Sequence, residues 1–371
     1  MYRRSRPAGC TILTMRAVSL IAVSIAALII GCAGEDDSIY LRDGSGGYIT
    51  GDYLGQPLPG DEPELFAPGI VNTGMYTRDF TMTPDGNEIY FSLNVGNFNY
   101  TAVLVSRRVR GRWTRPEVAG FSSDLALKVA EPFVAPDGKR LYFISDAVPE
   151  EVDAGASGEV KKNYDIWAVD RVGDGWGEPY RLEGPFNTPD NEFFPTVTRG
   201  GNLYFCRAEP ETGIHYIYRS RLVDGEYQEV EKLPGEVNSG RTMFNATISP
   251  GEDFMIVPVF GRQDGVGGVD YYVSFRSADD VWTGPFNMGD LINTAGSQEY
   301  SANLSPDGKY LFFMSWRMAE REEPLNYADI LAGMDQPEQG NTGIYWMKSD
   351  IIGRLREEAA AGATRGEGGQ S

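Results

Sequence analysis

Apolar and polar positions along this chain fall into a unit that recurs five times. The copies are FTMTPDGNEIYFSL (80–93), PFVAPDGKRLYFIS (132–145), PTVTRGGNLYFCRA (195–208), ATISPGEDFMIVPV (246–259) and ANLSPDGKYLFFMS (302–315). Each reads as a short strand, a tight turn and a second, more apolar strand. The turn anchors are Pro84, Pro136, Arg199, Pro250 and Pro306, with spacings of 52, 63, 51 and 56 residues. A near-constant period of this size with strands in every unit predicts a radial β array.

Each unit continues with a third strand rich in aromatic and β-branched residues: YTAVLVSRRV (100–109), YDIWAVDRV (164–172), HYIYRSRLV (215–223), DYYVSFRSA (270–278) and GIYWMKSDI (343–351). A fourth segment follows in four of them (112–120, 175–184, 226–235 and 281–290), usually with a proline suited to a sheet edge. Four strands in about 50 residues make a propeller blade. The fifth unit lacks its fourth strand, and the N-terminal stretch EPELFAPG (62–69) supplies one. It runs into Val71-Asn72-Thr73, as other fourth strands run into Phe186-Asn187-Thr188, Val237-Asn238-Ser239 and Ile292-Asn293-Thr294. The predicted fold is therefore all-β: a five-bladed propeller of four-stranded antiparallel blades over 62–352, closed by an N-terminal strand. Trp113, Trp176 and Trp282 recur at the start of the fourth segment and point to packing between blades. Two insertions, 147–163 and 317–342, leave from between second and third strands, hence from one face. Long loops in a compact array are more often functional than accidental.

The ends read differently. Arg3, Arg4, Arg6 and Arg16 precede a fourteen-residue, largely apolar run, Ala17 to Ile30. This is a signal segment over 1–31, too short to span a bilayer comfortably. Translation starts at Met1 or at Met15. Residues 32–61, with Gly34-Glu35-Asp36-Asp37 and Gly44-Ser45-Gly46-Gly47, read as a flexible tether. Residues 353–371 read as the end of a short amphipathic helix, DIIGRLREE (350–358), followed by a disordered tail.

The formal net charge is −20, and about −24 without the four signal-segment arginines. Such a surface repels phosphate backbones and argues against nucleic acid as a partner. Of three cysteines, Cys10 lies in the signal segment, Cys32 at its end, and Cys206 in a strand, where a small buried hydrophobe is expected. His215 is the single histidine. His-rich metal sites are thereby excluded, and a single histidine argues against an internal Ser–His or Cys–His catalytic pair.

Ile29-Ile30-Gly31-Cys32 resembles the lipobox of bacterial lipoproteins, although Ile30 is larger than the usual occupant of its position. The resemblance implies cleavage before Cys32, lipidation of its sulfur (diacylglyceryl and palmitate-type chains) and a membrane anchor. The absence of Asp directly after the cysteine implies the outer membrane, with the propeller in the periplasm or at the cell surface. An ordinary signal peptide with an accidental cysteine is the other reading. The repeats, through Pro84-Asp85-Gly86, Pro136-Asp137-Gly138 and Ser305-Pro306-Asp307-Gly308 with strands such as Leu141-Tyr142-Phe143, resemble the TolB-type, WD-like β-propeller repeat of cell-envelope proteins. Copies three and four depart, with Arg199-Gly200-Gly201 and Pro250-Gly251-Glu252. The shared residues build turns. What the resemblance implies is scaffolding or protein binding in the cell envelope, with enzymatic members a minority; the chain as a whole is read as a non-enzymatic binder of a protein or glycan partner there, without a cofactor.

In a propeller the first strand of each blade lines the central channel. Its leading end here carries Asp79, Glu131, Glu192, Asn245 and Glu299. Convergent carboxylates raise one another's pKa unless a cation sits among them, and Ca²⁺ favours such oxygen clusters. Asp79 and Glu131 lie five residues before their anchors, Glu192 and Glu299 seven, an offset of roughly 7 Å along a strand. They are expected in two layers. Five-bladed arabinanase-like glycosidases use three acids at such a mouth, which makes Asp79, Glu131, Glu192 and Glu299 the catalytic candidates of an alternative, carbohydrate-active reading.

Overall fold

The computed structural model describes residues 36–96, 98–124, 128–148, 163–319 and 326–367. The expected signal segment, Cys32 and most of the 147–163 insertion lie outside these. Residues 39–371 form one compact unit, and 1–38 another.

The larger unit is a five-bladed propeller of antiparallel sheets. Blade 1 runs Tyr76–Met82, Glu88–Val95, Tyr100–Val109; blade 2, Val129–Val134, Arg140–Ser145, Asp165–Val172; blade 3, Glu192–Val197, Leu203–Ala208, His215–Ser220. Blade 4 begins with two short pieces, Thr242–Met243 and Thr247–Ile248, before Phe254–Phe260 and Val269–Arg276; blade 5 runs Glu299–Leu304, Tyr310–Ser315, Gly343–Lys348. Second strands are almost wholly buried, as the apolar runs after each turn require (Arg140–Ser145 and Tyr310–Ser315 are half-buried at their first residue and buried thereafter).

The outermost strand is broken in most blades. In blade 1, Arg112–Trp113 and Glu117–Val118 pair separately with the third strand. Pro116, which lacks an N–H, lies between them and cannot continue the ladder. Blade 5 takes its outer strand from Glu64–Leu65, paired antiparallel with Trp346 and Tyr345. Phe66 follows, fully buried among Phe80, Phe312 and Trp346 at 5.2–5.4 Å between ring centroids. The ring closes as the sequence pattern predicts.

One residue pins each outer segment. Asn187 accepts from the Ile166 N–H and donates to the Ile166 and Leu182 carbonyls. Asn238 does the same with Ile217 and Leu233, and Asn72 with Ile344 and Phe66. Asn293 accepts from and donates to Tyr271. In blade 1 the Ser122 hydroxyl accepts from the Val103 N–H instead. The recurring asparagine thus supplies hydrogen bonds where the fourth strand leaves the ladder. The recurring tryptophans bridge blades. Trp176 Nε1 donates to the Tyr90 hydroxyl of blade 1 at 2.6 Å, and Trp282 packs into a cluster with Tyr204 and Ile217 of blade 3.

Two expectations at the ends are corrected. The tether expected over 32–61 is docked on the blades from Tyr40 onward. Tyr40 bridges to Thr114, the Leu41 N–H donates to the Trp113 carbonyl, and Leu41 and Leu54 bury themselves with Trp113, Phe312 and Trp346. Tyr40, Leu41, Ile49, Tyr53 and Leu54, scattered among polar residues, dock this segment on blades 1 and 5. The C-terminal helix, expected to stop at 358, runs Asp350–Glu367. Ile351 and Ile352 are buried against blades 4 and 5, and the alanine-rich stretch that read as tail has high helix propensity.

Candidate functional site

The first strands bring five equivalent positions to the channel: Asp79, Glu131, Phe194, Asn245 and Ser301. Each lies five residues before its anchor. In blades 1, 2, 3 and 5 the pairing register shifts there. Asp79, Glu131, Phe194 and Ser301 adopt φ of 60°, 59°, 50° and 55°. A bulge of this kind re-aims the side chain and sharpens the local twist. In blade 4 the strand breaks at the same place.

These residues and Arg78 form one connected group. Arg78 Nε donates to Asp79 and Nη2 to Glu131 Oε1, both at 2.8 Å, and Nη2 lies 3.4 Å from the Ser301 hydroxyl. Asn245 Nδ2 donates to Glu131 Oε1 at 3.1 Å and to Ser301 Oγ at 2.9 Å. The Phe194 N–H donates to Glu131 Oε2 at 2.6 Å, so all five blades meet on this group. Both oxygens of Glu131 accept from N–H donors, an arrangement that suits a carboxylate. Asp79 Oδ2 is buried without a protein partner.

Burial raises the Glu131 pKa, and the Asp79 charge raises it further; Arg78, the Phe194 N–H and the Asn245 amide act against this. Burial also disfavours the Arg78 charge, but Asp79 and Glu131 outweigh it and hold the guanidinium protonated well above its ordinary range.

Glu192 and Glu299 have other partners. Thr188 donates to Glu192 from its hydroxyl and its N–H. Thr294 and Ser315 donate to Glu299 Oε1. Each threonine directly follows a clamp asparagine, so these acids belong to the strand-end architecture. Burial pushes Glu192 up to about 8 and Glu299 up to about 7 against those hydrogen bonds. Of the four predicted acids the structure therefore joins Asp79 and Glu131 through Arg78, and gives Glu192 and Glu299 separate surroundings. Among the described residues no group of three or more His, Cys, Asp or Glu side chains is arranged to hold a metal ion. The four carboxylates do not form the oxygen cage that Ca²⁺ needs, and the cation between Asp79 and Glu131 is the protein's own Arg78.

Around this group lies an arc of half-buried rings that sequence reading missed. Tyr164 packs on Phe193, Phe193 on His215, His215 on Phe244 and Phe244 on Tyr300, with centroid separations of 5.2–5.7 Å. Tyr76 contacts Phe98 and Trp316 at 5.5 and 6.2 Å. Phe193, Phe244 and Tyr300 each lie six residues before an anchor, next to the channel position. That recurrence was available in the sequence, as was Arg78 at the same place in the first copy. At the other end of the channel Pro84, Pro136, Arg199, Pro250 and Pro306 all line one cavity of about 70 Å³. The repeat's own anchors make that mouth.

No protein-family model matches the chain, and no curated protein matches it. Solved structures do. TolB from Acinetobacter baumannii is 17% identical with a TM-score of 0.42, over 74% of this chain and 57% of that one. The GH43 BlXynB protein from Bacillus licheniformis is 10% identical with a TM-score of 0.43, over 78% and 57%. A native Bacillus subtilis arabinanase is 11% identical with a TM-score of 0.42, over 75% and 95%. The chain thus spans little more than half the length of the first two. Solved structures at this similarity include glycoside hydrolases, prolyl endopeptidases and a calcium-binding protein, so the blade count rests on the chain's own sheets and the function on its own residues.

Proposed function

We propose that this propeller is a binding module of the cell envelope, whose aromatic channel mouth takes a protein or glycan partner without cleaving it. The observation that carries this reading is Arg78 between Asp79 and Glu131. Glycoside hydrolysis needs one carboxyl free to give a proton and another free to attack or to activate water. Here Glu131 accepts three N–H donors, and both acids are tied to one guanidinium. What the mouth offers instead is an arc of rings, which suits recognition by stacking and burial. The lipobox-like Ile29 to Cys32 supports an anchor at Cys32, which would hold the binding face at the outer membrane.

The test is retention of solubilised envelope material on the immobilised protein. The Phe193→Ala/Phe244→Ala/Tyr300→Ala variant should lose the retained species. Retention unchanged by the triple variant would remove the mouth as the binding face. Labelled palmitate should enter the wild-type protein in cells and not Cys32→Ala.

A second reading is favoured by one observation, the unpartnered Asp79 Oδ2 beside a carboxyl of raised pKa. A carboxyl oxygen without a protein partner beside a second carboxyl is the pairing that glycoside hydrolysis requires. Release of reducing sugar from arabinan, abolished by Asp79→Asn, would establish it over the binding reading.

A further inference from the structure

A second cavity, of about 490 Å³, lies between blade 1 and residues 340–341 at the end of the blade 5 insertion; Tyr76, Asn94, Phe98, Trp316 and Asn341 line it, with Met75 and Val95 beside them. Gly74 forms part of its wall. A Cβ there would lie 2.0 Å from the Met334 carbonyl oxygen, so the insertion seats directly on this glycine. The Asn341 amide donates to the Gly74 carbonyl at 2.7 Å and fastens the two sides.

The cavity's polar groups are unusual. Asn94 is 5% exposed, yet neither its amide oxygen nor its amide nitrogen meets a protein hydrogen-bond partner. Trp316 Nε1 is likewise buried without one. Buried amides are nearly always paired, and an exception in a cleft calls for an external partner. Asn94 sits on the strand directly across from Tyr76. The amide therefore lies beside the ring, and the Phe98 and Trp316 rings stand at 64° and 87° to it.

We infer that this cavity binds one ring of a neutral saccharide. The inference rests on the reading of this protein as a partner-binding module and names the partner's chemistry. Three aromatic rings at steep angles offer faces to the C–H surface of a sugar. Asn94 offers two donors and an acceptor side by side, and Trp316 one further donor. Sugar hydroxyls both donate and accept, so adjacent ones satisfy this mixed set. None of the lining residues is charged, and the chain carries a net charge of −20. An anionic glycan would meet no counter-charge in the cavity and a repelling field outside it. A cavity of this size holds one or two sugar rings and not a folded chain.

The experiment titrates the purified protein with xylotetraose, cellotetraose, arabinotetraose and chitotetraose, read by saturation-transfer NMR and calorimetry. At least one should bind saturably. Asn94→Ala should weaken it by about tenfold or more, since the amide's hydrogen bonds are lost while no internal one is broken. Trp316→Phe, which keeps a ring and removes the N–H, should weaken it less. Thermal unfolding of both variants should match the parent, so that lost binding is not lost fold. No saturable binding by any of the four overturns the inference, as does binding that both variants leave unchanged. Binding of an uncharged tyrosine-containing tetrapeptide in place of the sugars overturns it in favour of a peptide site. If the triple rim variant still abolishes envelope capture in those cases, the binding-module reading stands and only the saccharide assignment fails.

Discussion

The Arg78 guanidinium of blade 1 lies 2.8 Å from the Glu131 carboxylate of blade 2, while its Nε holds Asp79 at the same distance. Among the described residues Arg78 is the one cation on these two buried acids. Removing one member of a buried ion cluster leaves uncompensated charge, at a cost of about 3–5 kcal/mol. Arg78→Met should lower unfolding free energy by that amount in urea titrations. Arg78→Met/Glu131→Gln should lose less than the single variant. A double variant less stable than the single would show that Glu131 is stabilised by something other than Arg78.

Glu192 makes stability depend on pH. Its folded carboxyl titrates at about 8 through burial, well above its unfolded value. A raised folded pKa favours the native state at pH below the unfolded value, and that contribution disappears as pH rises through about 8. Glu299, raised to about 7, acts in the same direction. Wild-type stability should therefore fall between pH 5 and 9. Glu192→Gln, which cannot ionise, should flatten the fall by on the order of 2–4 kcal/mol. Denaturant midpoints across that range provide the measurement. A parallel pH profile in the variant would mean that Glu192 stays ionised in the fold.

The asparagine clamps should behave alike. Asn187→Ala leaves the Ile166 N–H and the Ile166 and Leu182 carbonyls without their side-chain partner. The cost should be about 1–3 kcal/mol. Asn238→Ala and Asn72→Ala should fall in the same range, and Asn72→Ala should in addition release the closing strand. Hydrogen exchange at Tyr345 and Trp346, which pair with Leu65 and Glu64, reads that release.

Blades 3 and 4 are joined by Arg219, which is 4% exposed in its side chain and reaches Asp280 and Glu231 at 2.8 Å. Asp280 also accepts from Arg276 and Arg221, and these arginines, Arg219 first, hold its carboxyl well below the usual range. Arg219→Ala should destabilise by about 3 kcal/mol, chiefly by faster unfolding. Arg221→Ala, at a far more exposed position, should cost less than about 1 kcal/mol. Equal losses would indicate that burial does not set the strength of this network.

Gly74→Ala tests the seating of the insertion. The added methyl cannot share space with the Met334 carbonyl, so residues 326–342 must shift while the blades stay intact. Limited proteolysis should cut the variant within the insertion faster than the parent, with little change in the unfolding midpoint. Unchanged cleavage would mean the insertion accommodates the methyl where it lies.

The blades were legible in the sequence because each is a local object. Turn residues, two-residue alternation and a period near 50 residues are written in adjacent positions, and even ring closure was visible in the shared pattern around Asn72, Asn187, Asn238 and Asn293. Local signals also separated the acids by register, Asp79 and Glu131 at one offset and Glu192 and Glu299 at another. The docking of residues 40–61 was hidden, because a few apolar residues in a polar stretch look the same whether or not a groove receives them.

What only the tertiary structure decided is which groups meet across blades. Asp79 and Glu131 read as a cation site until Arg78 is seen between them, since nothing in sequence spacing says that an arginine on one blade ends 2.8 Å from a carboxylate on the next. The cavity of Asn94 and Trp316 joins residues more than two hundred positions apart, one on blade 1 and one beside the insertion of blade 5. A repeat determines each blade through its own short-range chemistry. The site is made by the closing of the ring, which sets side chains from different repeats against one another at distances no single repeat encodes.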